Sequence, residues 1–178
     1  MTSPSYTKAV KKLRKAIAER CADEEIEHDA KPYSKEELAA FEAKHKVELP
    51  ACFRELMLSV GPIGEPLLNY SQLDLPDDEA VARMKAKCLL SADNTTEAKG
   101  QRRFDPTKHD VAYRDGTLLL GVREDDEVEA FLICNGPFEG QVWCDLYGYF
   151  GEFDVRSAGD FFEVLAEALE PREGAALA

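Results

Sequence analysis

The stretch VELPACFRELMLSVGPIGEP, Val47 to Pro66, decides how the chain is read. A proline follows Leu49, an apolar run follows the proline, and glycine and proline then alternate. Pro50 suits the first position of a helix, where its missing N–H has no intrahelical partner to lose. Phe53, Leu56, Met57 and Val60 recur at helical spacing and predict an apolar face. Gly61 suits a left-handed stop, and Pro62 forbids continuation. The predicted helix therefore runs from Pro50 to Val60. A phosphate-binding loop needs its glycines ahead of a helix N-terminus. Here they come after a helix, and no GxxxxGK[ST] motif exists. The stretch is helix punctuation.

Upstream, YSKEELAAFEAKHKV predicts a second well-marked helix. Ser34 as N-cap and Glu37 three residues on form a capping box, with Tyr33 and Leu38 as a hydrophobic staple. Leu38 and Phe41 are expected to face the core. Before it, Tyr6, Val10, Leu13, Ile17 and Cys21 make one apolar stripe, which predicts a helix from Ser5 to Cys21 with a basic outer face. A basic amphipathic helix can lie on a membrane surface, but a solvated face is the expected role on so acidic a protein.

Downstream, Asp77 to Leu90 reads as a helix with Val81, Met84 and Cys88 on one side. Ser91 to Gly116 shows no period, although a structureless loop of that length is unusual in a compact domain. TLLLGVR (117–123), VEAFLIC (128–134) and QVWCDLY (141–147) read as strands. Asn135-Gly136-Pro137 and Gly140 mark a turn between the last two, which predicts an antiparallel hairpin. Tyr149 to Val155 adds a short fourth strand in this reading. A final helix is expected from a Ser157 N-cap, with Phe161, Leu165, Ala168 and Leu169 on its core face and Pro171 ending it. Helices, then strands, then a helix is an α+β order. The expected fold is a mixed or antiparallel β-sheet flanked by N-terminal helices and a C-terminal helix. The expected organisation is one domain over residues 1–178, with a basic helix in 1–22, a core over 34–169 and a tail at 171–178.

The 178 residues carry a net charge of -13. Its distribution is uneven: Glu124 to Glu170 holds thirteen acids against the single base Arg156. Residues 1–20 hold six Lys or Arg and one Glu. An acidic C-terminal half disfavours nucleic acid and anionic membrane as partners and favours a cationic one. No apolar run approaches the roughly 20 residues of a bilayer span. MTSPSYTKAVKKLRK lacks an apolar signal core, so the expected place is the cytoplasm.

Catalytic patterns are not legible. The five cysteines form no CxxC pair and have no adjacent histidine, so core thiols are expected, not a zinc site or a disulfide framework. His28, His45 and His109 form no ligand spacing, and no metal or cofactor is expected. There is no GxSxG elbow. Acid pairs such as Asp125-Asp126 or Asp145 with Asp154 are what chance supplies among 35 acids. Trp143, between Val142 and Cys144, is expected in the core or on a sheet face. The alternative is an interface anchor.

The capped helix YSKEELAAFEAKHKVELP followed by ACFRELMLSVG resembles the SUKH superfamily, the Smi/Knr family of fungal cell-wall regulators and bacterial immunity proteins. Leu49, Pro50, Phe53, Leu56 and Gly61 carry the likeness, with DGTLLLG (115–121), FLICNGPFEGQVWCD (131–145) and the SAGDFFEVLAEAL helix. It covers Ser34 to Leu169. VGPIGEP stands where the family commonly has a glycine-richer turn, and the acidic REDDEVE replaces a glycine-containing turn.

The resemblance implies a non-enzymatic, protein-binding α+β domain with no shared catalytic residues. The expected function is an immunity protein that binds and neutralises a cognate toxin, with a basic toxin domain as partner. The alternative is a regulatory scaffold like the fungal members. The candidate partner surface is Glu124, Asp125, Asp126, Glu127, Asp145 and Asp154, with Trp143 and Tyr147 as anchors.

Overall fold

The structure, a computed structural model, describes residues 6–64, 67–68, 73–98, 100–105, 107, 113–123, 128–146 and 154–169. Helix α1 spans Thr7–Glu24, and its stripe Val10, Leu13 and Ile17 is buried. Helix α2 spans Lys35–His45 behind the expected capping box: Ser34 Oγ accepts from the Glu37 N–H at 3.1 Å, and Glu37 Oε2 accepts from the Ser34 N–H at 2.7 Å. Leu38 is buried, while Tyr33 and Phe41 pack against the core from its edge.

Helix α3 spans Ala51–Ser59, and Pro50 is its N-cap, one place earlier than the expected first turn. Cys52, Phe53, Leu56 and Met57 are its buried face. Gly61 has φ +91°, and its N–H donates to Leu56 O at 3.0 Å, as a left-handed stop requires. A Cβ there would also lie 2.8 Å from Lys31 O, so the chain crossing Lys31 needs this glycine. Helix α4 is shorter than expected, Asp78–Lys85, capped by Asp77 through the Ala80 N–H at 2.8 Å.

The aperiodic stretch contains a short 3-10 turn, Ala92–Asn94, and a hairpin of β1, Thr95–Ala98, and β2, Gln101–Phe104. Their sequences, TTEA and QRRF, hold too few apolar residues to show an alternation. Strands β3, Thr117–Arg123, β4, Val128–Ile133, and β5, Gln141–Asp145, lie where the sequence placed them. The C-terminal part departs from expectation. Ser157 does not cap a helix; it lies within β6, Val155–Asp160, opposite Trp143. Helix α5 begins only at Phe161, where Asp160 Oδ1 accepts from the Phe162 N–H at 3.0 Å, and runs to Leu169. Strand pairing overrides the cap because β6 bonds to β5 on one side and β2 on the other. The expected strand over Tyr149 to Val155 falls mostly outside the described residues, which take in only its last two.

Among the described residues, the sheet has six strands in the order β1-β2-β6-β5-β4-β3, and every pairing is antiparallel. The fold is α+β. Period-two alternation splits the apolar residues of β4 and β5 between two cores. Ala130, Leu132 and Val142 join Leu118, Leu120 and the faces of α1, α3 and α5. The rings of Phe53 and Phe161 stand 6.3 Å apart there, and those of Tyr6 and Phe162 5.3 Å. Phe131, Ile133 and Trp143 point the other way, beneath Cys88, Leu90, Phe104 and Tyr113. Covering on both faces explains why AFLIC, Ala130 to Cys134, reads as an unbroken apolar run. Among the described residues, no helix is long and apolar enough to cross a membrane.

Candidate functional site

The residues singled out in the sequence do not form one exposed surface. Glu124, Asp125, Asp126, Glu127 and Tyr147 lie outside the described residues. Trp143 is 0% exposed, with its ring 5.6 Å from that of Phe138. It is a core residue, and the anchor reading is corrected. Asp145 is 6% exposed, and its place in an acidic surface is corrected too. It faces Glu129 across the β4–β5 ladder, where two carboxylates side by side need a cation. Arg114 supplies it: Nη2 lies 2.7 Å from Asp145 Oδ2 and also pairs with Glu129. Burial alone would lower the Arg114 pKa, but bonds to Asp145, Tyr113 and Glu129 hold it above its ordinary value. Asp154 is largely covered and pairs with Arg156 at 3.1 Å. Sequence cannot show such neutralisation, because Arg114 stands 31 residues before Asp145.

An open groove of about 980 Å³ lies elsewhere, where the α2–α3 junction faces the end of α4 and the β4–β5 turn. Its lining includes the apolar Leu49, Met84 and Cys134. Glu42 braces one wall: Oε1 accepts from the Leu49 N–H at 3.0 Å, and Oε2 from Arg54 Nε at 3.3 Å. Asn135 braces the other. Its Nδ2 donates to Met84 O at 3.0 Å and Ala86 O at 2.9 Å, and its Oδ1 accepts from the Cys88 N–H at 2.8 Å. One side chain thus ends α4 and ties it to the sheet, with both amide N–H donors and the carbonyl oxygen engaged.

The rim is charged and uneven. Lys46, Lys85 and Lys87 line it, exposed and without an ion pair among the described residues. Towards α1 the lining turns acidic, with Glu55 and Glu139. The Tyr6 hydroxyl there is raised above its ordinary pKa, first by burial, then by Cys52, Asp160, Glu139 and Glu55. Those three carboxylates therefore lie within electrostatic reach of one phenol at the acidic end.

Cys52 and Cys134 are buried thiols of the core. All five cysteines are free. Burial pushes the Cys52 thiol up to about 12 and the Cys134 thiol higher still, so neither is a ready thiolate. Among the described residues, no three His, Cys, Asp or Glu are grouped to hold a metal ion. A largely polar lining, with charges of both signs around a few apolar side chains, suits the charged side chains of another polypeptide. The sequence signal for this groove was Leu49-Pro50 itself, read as helix punctuation; its far wall comes from residues 84 to 87 and 134 to 139 and had none. Comparison of the chain with protein-family models, curated proteins and solved structures gives no match.

Proposed function

We propose that the protein is a non-enzymatic binding module, an immunity protein that binds and neutralises a cognate bacterial toxin. One observation carries the reading: Leu49 and Pro50, two of the residues that make the chain resemble the SUKH superfamily, line the groove. The proposed docking face is that groove, and its acidic end, with Glu55 and Glu139, meets a basic patch on the toxin. This replaces the surface around Asp145 and Trp143, which are buried. Opposite charge across such a face speeds encounter and fixes orientation more than it adds affinity.

The test is co-expression with the product of the neighbouring gene, followed by binding measured over a salt series. Rescue of growth and a tight complex support the proposal. So does a slower on-rate in a Glu55→Lys, Glu139→Lys variant. A neighbouring product that is neither bound nor neutralised sinks it. Recovery of stable housekeeping partners from unstressed cells, with no toxin protection, would favour the regulatory scaffold.

A further inference from the structure

Helix α1 carries its charges against its own dipole. The N-terminus of a helix is its positive end, so acids belong in the first turn and bases in the last. Two other helices obey this. Glu36 and Glu37 open α2, and Lys44 and His45 close it. Asp78 and Glu79 open α4, and Arg83 and Lys85 close it. By contrast α1 has no acid in its first turn and no base in its last. Lys8, Lys11 and Lys12 stand near its start, and Asp23 and Glu24 end it. Its internal pairs, Lys15–Glu19 at 3.3 Å and Arg20–Glu24 at 2.9 Å, also run base before acid, the weaker order on a helix.

The outer face that results has a definite pattern. Lys11, Lys15, Glu19 and Asp23 are all exposed and follow one another at four-residue intervals, a single ridge. The exposed Ala18 and Ala22 lie beside it, too small to hold a second helix away. The ridge is complementary to itself. If a second copy is turned end for end about a two-fold axis beside Ala18, Lys11 meets its Asp23 and Lys15 meets its Glu19. Symmetry repeats both pairs, as in any isologous contact. Each set of lysines then lies beside the negative end of the other helix. Charges opposed to the dipole within one helix become matched to it between two.

We propose that the exposed face of α1 is a self-association surface, and that its occupant is a second copy of this chain in antiparallel orientation. One helix against one helix is a small, polar contact, so the dimer is of the weak, reversible class. The charge of -13 on each copy resists approach. Salt at about 0.15 M confines that repulsion to roughly 8 Å while contact pairs persist. The surface is distinct from the groove and does not depend on the toxin-binding reading.

Sedimentation equilibrium tests it with three chains: the wild type, a Lys11→Glu, Lys15→Glu variant and a Glu19→Lys, Asp23→Lys variant. The wild type is expected to approach twice the monomer mass as concentration rises in about 0.1 M salt, and to return to monomer in about 1 M. Each variant alone is expected to remain monomeric, and an equimolar mixture of the two to form a heterodimer. Both should fold, since neither touches the buried stripe, and circular dichroism verifies this; Lys11→Gln with Lys15→Gln serves if one does not. A wild type still monomeric at about 1 mM overturns the proposal. So does a dimer that both variants retain, or variants that fail to pair when mixed.

Discussion

The Tyr113 hydroxyl donates to Asp145 Oδ2 at 2.6 Å, across 32 residues of chain. With Arg114 on the same oxygen, this bond fastens the segment before β3 over the second face of the sheet. Replacing Asp145 by Asn removes the charge that Arg114 neutralises and leaves its shape. The expected loss is about 2 kcal/mol, less than for a fully buried pair because Arg114 is partly solvated. Urea unfolding should show a lower midpoint at unchanged slope.

Asn135 holds three backbone groups from the end of α4 and the segment after it. Asn135→Ala leaves the Cys88 N–H and two carbonyls without their partner. The expected cost is about 2–3 kcal/mol. Hydrogen exchange at the Cys88 amide should accelerate by more than at the β4–β5 ladder. An unchanged Cys88 rate would mean that water replaces the side chain freely.

Gly116 and Gly100 both have left-handed backbones, at φ +70° and +76°. Their surroundings differ. A Cβ on Gly116 would lie 2.5 Å from Cys88 N, whereas nothing lies within 4 Å of one on Gly100. Gly100→Ala should therefore cost about 1 kcal/mol of backbone strain alone. Gly116→Ala adds overpacking against backbone and should cost about 3–5 kcal/mol. Thermal melts of the two variants check the ranking.

Alkaline pH should unfold the protein through groups held protonated in the fold. Burial raises the Cys52 thiol from 9.0 to about 12. The Asp74 hydrogen bond, with burial, raises the Tyr33 hydroxyl from 10.0 to about 12. A raised folded pKa means that the unfolded chain releases its proton first as pH rises. The stabilisation is complete below pH 9.0 and is lost as pH climbs towards about 12. Each such group adds at most about 1.4 kcal/mol per pH unit to the slope. Cys52→Ala should flatten the fall in stability between those limits, and an unchanged slope would contradict the assignment.

Local signals were readable where they rest on near neighbours. Ser34 and Glu37 close a capping box three residues apart, and Gly61 stops α3 by its own φ. Strand β3 was legible to the residue because TLLLGVR is apolar and bounded by a glycine turn. Strands β1 and β2 were not, because TTEA and QRRF hold too few apolar residues to alternate, and β2 meets its second neighbour, β6, only after more than fifty residues of chain. The same late arrival makes Ser157 a strand residue instead of a cap, its Oγ accepting from the Arg102 N–H at 3.1 Å.

The sequence by itself determined the helix boundaries near Ser34 and Gly61, the three strands after Gly116, the α+β order and the charge on each segment. These follow from spacing, capping and backbone preference within a few residues. Only the tertiary structure decided which charges reach solvent. Asp145 was one more acid in an acidic run until Arg114 and Tyr113 closed on it. Glu55, Glu139 and Asp160, scattered over a hundred residues, gather near Tyr6. Burial and pairing depend on contacts between distant segments, and a linear pattern carries no record of them.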